Sequence, residues 1–213
     1  MSESSRPPNR DGQVTSRQCD EHDDVFCGAT AIVLAGGLSS RMGRDKALLD
    51  IDGVTLIERI VAQLKSVFSE IIISARTRND YAFLGLRVVP DRVPGQGPLM
   101  AIASSLEASS SEYNFVVSCD IPSLPIDLVR ELFYEAKNGD GAVAITSDGK
   151  YEPLFAVYRK SMALAAQDAL RGGNRRVVAM YQNRAIRPVR MKSGVALKNI
   201  NTPADYSGYL SGA

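Results

Sequence analysis

Short apolar runs alternate with amphipathic stretches along most of the chain. Ala31, Ile32, Val33 and Leu34 are continuously apolar and stop at glycine, the pattern of a strand buried on both faces. Residues 71–73 and 115–117 are further apolar runs, and 86–89, with Arg87 inside it and Pro90-Asp91 closing it, reads as another strand. Between these runs the period changes to that of a helix. An Asp52-Gly53 turn leads to a T-x-x-E capping box at Thr55 and Glu58, after which Ile57, Ile60, Val61, Leu64 and Phe68 recur on one face. Pro98 opens a helix that runs through Leu106. Pro125 opens another, with Leu128, Leu132 and Phe133 inward and Asn138-Gly139 as its stop. Strand and helix alternating over short connections predict an α/β domain, a mostly parallel central sheet with helices on both faces.

The second half is less regular. Residues 142–146 and 154–158 read as strands separated by a turn at 147–150, and 161–170 as a helix. Residues 189–191 and 195–200 are predicted to pair as a late hairpin, and Thr202-Pro203 starts a final helix. Residues 1–29 stand apart: polar, rich in Ser, Asp and Arg, without apolar period, they predict a disordered tail ahead of a single domain, 30–213. The tail carries none of the site groups considered below, so deleting 1–29 is expected to leave turnover within a few-fold.

Composition narrows the function classes. With 213 residues, 45% of them hydrophobic, the chain builds one substantial core. A net charge of +1 points to neither nucleic acid nor a membrane surface as partner. No apolar run is long enough to span a bilayer, and the N-terminus lacks the apolar segment of a signal peptide. Three cysteines without a paired framework fit a reducing cytoplasm. The only histidine, His22, lies in the tail, which excludes a Ser-His-Asp or Cys-His arrangement in the core. Cys19, His22 and Cys27 have neither the spacing nor the fourth ligand of a zinc finger.

The candidate chemistry gathers after the first strand. Gly36 and Gly37 leave backbone N–H groups uncovered, and Arg41, Arg44 and Lys46 follow closely, which suits a phosphate-bearing ligand. The competing reading is a solvated basic loop. The segment is no Walker A loop, because Lys46 does not directly follow Gly43 and Ala47 stands where a hydroxyl is needed; the dinucleotide fingerprint is also absent. In an open parallel sheet ligands bind beyond the carboxyl ends of the strands. Those ends are 35–46, Ser74-Ala75-Arg76, Pro90-Asp91 and Cys119-Asp120, so Arg41, Lys46, Asp91 and Asp120 gather at one edge. Asp120 suits a hydrated Mg²⁺ ion, which takes one or two carboxylates plus phosphate oxygens; the competing role is a turn cap before Ile121-Pro122. Cys119 reads as a small core residue, since no base is available to activate it. Cations, a carboxylate and no histidine suggest nucleotidyl transfer, in which the phosphate nucleophile is already ionised and the protein positions groups and neutralises charge.

LAGGLSSRMGRDKALL (34–49) is similar to the signature of molybdenum cofactor guanylyltransferases. GPL (97–99), CDIPSL (119–124), EPLFAVY (152–158), RRV (175–177) and NINTPAD (199–205) resemble that family's later motifs in the same order. The resemblance covers about residues 30–210 and implies a Rossmann-like nucleotidyltransferase. Such an enzyme joins the GMP moiety of GTP to the terminal phosphate of molybdopterin with Mg²⁺, releases pyrophosphate, and exchanges cofactor with delivery and acceptor proteins. By position, Leu34, Ala35, Gly36, Gly37, Ser74 and Asp91 would hold the nucleotide, Lys46 its phosphates and Asp120 the magnesium, with Lys46, Arg41 and Asp120 serving catalysis. Arg41, Arg175, Arg176, Asn199 and Asn201 would lie on the pterin side or between the substrates. Ser74 stands where the family often has Asn, and Ala101 where Gly is expected. The related molybdopterin cytidylyltransferases read LAAG and lack the Asp before the loop lysine, so Gly36-Gly37 and Asp45-Lys46 favour GTP over CTP. Sugar-phosphate nucleotidyltransferases carry a longer, threonine- and proline-rich loop. A nucleotide-binding regulator without catalysis is the remaining alternative; Lys46 and Asp120 argue against it.

Overall fold

The computed structural model describes residues 26–36, 45–192 and 197–211. The proposed tail up to residue 25, with Cys19 and His22, lies outside the described residues, as do Gly37, Arg41, Arg44 and part of the late hairpin.

The strands are β1 (Thr30–Leu34), β2 (Asp50–Ile51), β3 (Val54–Thr55), β4 (Glu70–Ala75), β5 (Arg87–Pro90), β6 (Tyr113–Ser118), β7 (Gly141–Ile145), β8 (Tyr151–Arg159) and β9 (Ile186–Arg190). Among the described residues they form a seven-stranded sheet in the order β5-β4-β1-β6-β8-β7-β9 and a two-stranded ribbon, β2-β3. β1 lies between β4 and β6 and is parallel to both, and all five of its residues are buried, as its unbroken apolar run requires. β5 continues the parallel half. β8 runs antiparallel to β6 and β7, and β9 is parallel to β7.

Helices α1 (Leu56–Lys65) and α3 (Ile126–Ala136) cover one face; α2 (Pro98–Ala108) and α4 (Met162–Arg171) cover the other. The alternating side chains of β1 divide between them, Ala31 and Val33 to the first layer, Ile32 and Leu34 to the second. The predicted capping box of α1 is formed: Thr55 N–H donates to Glu58 Oε2 at 2.9 Å while Glu58 N–H donates to Thr55 Oγ1. A short helix, α5 (Pro203–Leu210), begins at a capping box of its own on Thr202 and Asp205 and packs near the ribbon through Tyr206 and Tyr209. No described helix is long and apolar enough to cross a membrane.

Three expectations need correction. The late hairpin is not formed among the described residues: β9 pairs instead with β7, from Gly141 opposite Ile186 to Ile145 opposite Arg190, and residues 197–200 are not in a strand. The open edge of β7 gives β9 a full ladder and buries Val189, and Pro188, which lacks an N–H, is tolerated on such an edge strand. The cysteines are not all unpaired, for Cys27 is disulfide-bonded, while Cys119 is a free, buried thiol. Phe26 and Ala29, in the stretch read above as tail, pack into the domain. Phe26 is 1% exposed, with its ring 5.2 Å from Phe68, 5.3 Å from Phe133 and beneath the Arg130 guanidinium. A truncation that spares the core therefore ends at residue 25. Phe26→Ala is expected to cost about 3 kcal/mol of stability, read as a lower urea midpoint, with turnover per folded molecule unchanged. An unmoved midpoint would show that the ring contributes no packing.

Candidate active site

The parallel strands end together. Ala35 N–H donates to Ser74 O at 2.8 Å and Cys119 N–H donates to Leu34 O at 3.1 Å, which carries the pairing one residue past β1 and sets Gly36 and Asp120 off from the same edge. A Cβ on Gly36 would meet Ala75 at 3.5 Å, ordinary van der Waals contact, so the protein's own packing does not demand glycine there. What glycine preserves is close approach of a ligand to the backbone.

Asp45 starts the turn that carries Lys46. Its Oδ1 accepts from Ala47 N–H at 3.0 Å and caps the 3-10 turn Lys46–Leu48. Lys46 Nζ donates to Asn201 Oδ1 at 2.8 Å. Asn201 is set by the capping box of α5, whose Asp205 carboxylate accepts from the N–H groups of Asn201 and Thr202 at 2.9 and 2.8 Å. One residue earlier, Ile200 N–H donates to Asp120 O at 2.9 Å. The segment before α5 thus ties Lys46 and Asp120, far apart in sequence, to one short stretch of backbone.

Beside them opens a cleft of about 520 Å³ whose lining includes Asp120, Glu152, Arg176, Asn199 and Asn201. Asp120 Oδ1 and Asn199 Oδ1 are buried without a hydrogen-bond partner among the described residues, and a buried polar atom of this kind is one that an ion, a ligand or a water completes. Burial raises the Glu152 carboxyl above its usual range, and the negative charges of Asp120 and Asp148 raise it further. Cys119 is buried next to Asp120; burial pushes its thiol up, Asp120 and Asp45 add to this, and Lys46 opposes it. It stays a protonated core residue, as its position predicted. Among the described residues no group of three or more His, Cys, Asp and Glu could enclose a metal. Magnesium needs none, since it takes one or two carboxylates and fills the rest of its shell with phosphate oxygens and water. The unpartnered Asp120 oxygen and Glu152, raised by burial and then by the Asp120 charge, fit that ion.

Of the predicted residues, Lys46, Asp120, Arg176, Asn199 and Asn201 meet at or beside this cleft. Leu34 and Ala35 are buried at the end of β1, and the Ser74 side chain is buried below the edge, 1% exposed, with its carbonyl bonded to Ala35. Asp91 follows β5, two strands from β1, half-buried and not among the cleft's lining; burial raises its carboxyl. Arg175 is exposed and does not line the cleft either. Gly37 and Arg41 lie outside the described residues. Sequence reasoning missed Tyr151 and Glu152 as cleft residues. β8 is antiparallel to β6, so its amino end reaches the edge where β6 ends, with Phe155 opposite Val117. A carboxylate at the start of a strand, followed by proline, was the available signal.

Comparison with known proteins agrees with this architecture. The family described as MobA-like NTP transferase domain matches residues 31–186. A relative from Carboxydothermus hydrogenoformans, "Probable molybdenum cofactor guanylyltransferase", is 37% identical over 85% of this chain and 94% of its own. One from Shewanella baltica, "Molybdenum cofactor guanylyltransferase", is 33% identical over 81% and 91%. Among solved structures, molybdopterin-guanine dinucleotide biosynthesis protein A from Archaeoglobus fulgidus superposes with a TM-score of 0.74 at 22% identity, covering 85% of this chain and 97% of that one.

Proposed function

The chain belongs to the MobA-like NTP transferase family and is a nucleotidyltransferase; we propose that it is a molybdenum cofactor guanylyltransferase, which joins the GMP moiety of GTP to the terminal phosphate of molybdopterin and releases pyrophosphate. The observation that carries this reading is the bond from Lys46 to Asn201, which lines the cleft with Asp120 and its unpartnered oxygen, so that a cation is held beside the cleft whose wall carries the anion. In the transfer an oxygen of the acceptor phosphate attacks the α-phosphorus of GTP, and the bond from that phosphorus to the bridging oxygen of pyrophosphate breaks. The nucleophile arrives ionised, so no side chain has to remove a proton. Lys46 stabilises the charge that develops on the transferred phosphoryl group and on the departing pyrophosphate. It has three donors, one of which goes to Asn201. Arg176, with Asn199 at the buried end, offers polar contacts to the pterin substrate. Asp120, assisted by Glu152, would hold a magnesium ion that neutralises triphosphate charge when bound. The need for GTP, rather than the state of the cysteines, is what supports a cytoplasmic reaction, with proteins that deliver and receive the cofactor as partners.

Pyrophosphate release with molybdopterin, Mg²⁺ and each of GTP, CTP, ATP and UTP tests the proposal. GTP is expected to be strongly preferred, because a wrong base leaves buried polar groups unpaired. Equal turnover with CTP moves the protein to the cytidylyl branch, and binding without pyrophosphate release makes it a regulator. Gly36→Ala should fold normally, given the 3.5 Å clearance to Ala75, yet erode the preference for GTP. Unchanged selectivity in that variant removes Gly36 from base recognition.

A further inference from the structure

We propose that Tyr81 is a positioning residue for Lys46: its hydroxyl ties the end of β1 to the turn that presents the lysine. Given the nucleotidyl-transfer reading above, it thereby sets the rate of transfer. Tyr81 lies in the connection between β4 and β5, outside every motif considered so far. Its ring is buried, 8% exposed, and its hydroxyl reaches two groups distant in sequence: Asp45 Oδ2 at 2.6 Å and Ala35 O at 3.0 Å. Both are acceptors and the phenol has one proton, so the two share it. The shorter contact has the length of a charge-assisted bond to a carboxylate. The other oxygen of Asp45 caps the turn of Lys46. A continuous chain of contacts thus runs from Ala35 through Tyr81 and Asp45 to Lys46 and on to Asn201.

The backbone supports the same reading. Tyr81 has φ +57°, a left-handed conformation unusual for a bulky side chain. Such conformations persist where the surroundings over-determine them, often at functional sites. Here the preceding loop is closed by Asp80, whose carboxylate accepts from Thr77 N–H at 2.9 Å and from Thr77 Oγ1 at 2.8 Å. That closure delivers the ring inward. Burial, with the neighbouring Asp45 bond and charge, pushes the phenol far above its ordinary range, so it remains a proton donor at every working pH.

The test has two readouts. Tyr81→Phe keeps the ring and removes the tie. Pyrophosphate release should fall about tenfold in kcat in the otherwise native enzyme and less than about twofold in an Asp45→Ala background, because contacting residues on one route do not add. Independently of turnover, acylation of Lys46 by a water-soluble succinimidyl ester, read by mass spectrometry, should rise several-fold in Tyr81→Phe while that of the exposed Lys150 does not change. If Tyr81→Phe fails to fold, Asp45→Ala, altered at an exposed residue, must show the same rise. Native kcat together with native Lys46 labelling overturns the proposal, as do equal kcat losses in both backgrounds. A rise in labelling in an enzyme that releases no pyrophosphate from any nucleotide leaves Tyr81 in its role and overturns the nucleotidyl-transfer reading instead.

Discussion

Asp120→Asn is expected to leave a folded protein that has lost most of its transfer activity. Asp120 is half-buried, one of its carboxylate oxygens has no hydrogen-bond partner among the described residues, and its charge adds to the burial that raises the Glu152 carboxyl in the same cleft. Each of these is unfavourable to the ligand-free protein, and residues that serve function at the expense of stability show this signature. The amide keeps the shape and relieves the repulsion, so the melting temperature should stay level or rise. Transfer should fall on the order of 10²-fold or more, the scale of removing one electrostatic stabiliser, with weakened dependence on Mg²⁺. The pH dependence of stability supplies a second check. A carboxyl raised in the folded state keeps its proton after the unfolded chain has released it, so stability declines as pH climbs from the ordinary glutamate range through the folded value. Glu152 imposes such a decline. In Asp120→Asn the decline should be shallower but not absent, because burial, the larger cause, remains. A variant that melts several degrees lower while its folded fraction turns over normally would make Asp120 a structural cap.

The predicted residues that the structure brings together at the cleft share a physical reason. Lys46 and Asp120 follow apolar runs that stop abruptly, and in a parallel sheet such stops all lie on one edge, so one-dimensional pattern becomes position. Asn199 and Asn201 came from resemblance, and the structure supplies their cause: the α5 capping box and the bond from Ile200 to Asp120 O aim the segment at the edge. Glu152 escaped because the rule of strand ends presumes parallel strands, and β8 brings its amino end instead. Tyr81 escaped because its partners lie 46 and 36 residues away and a single aromatic in a loop has no period. Phe26 was hidden for the same reason, one ring in a polar stretch whose burial depends on Phe68 and Phe133. Among the described residues the late hairpin is not formed: pairing was assigned to neighbours in sequence, while the free edge of β7 offered β9 a five-residue ladder.

Lys46→Ala should lower kcat on the order of 10²-fold, comparable to the loss of one oxyanion donor. A surface lysine would contribute almost nothing, and the two cases differ in the structure. Lys46 is half-buried, its backbone is held by the Asp45-capped turn, and its ammonium is bonded to Asn201 at 2.8 Å. A charge held in place before substrate arrives needs little reorganisation at the moment of transfer, whereas a free lysine would have to be ordered first. If the ammonium acts on charge that develops only during transfer, kcat falls and the KM for GTP moves little; if it holds the ground-state triphosphate equally well, KM rises and kcat is spared. The first split is expected. The Asn201 oxygen left behind is only half-buried, so water can reach it. Lys46→Arg should recover part of the rate and not all of it. A planar fork carries its charge farther from the backbone than the ammonium does, and it cannot hold the Asn201 oxygen and the phosphates from the same point. Steady-state kinetics of the two variants at saturating Mg²⁺ make the comparison, and an alanine variant with native kcat takes Lys46 out of the chemistry.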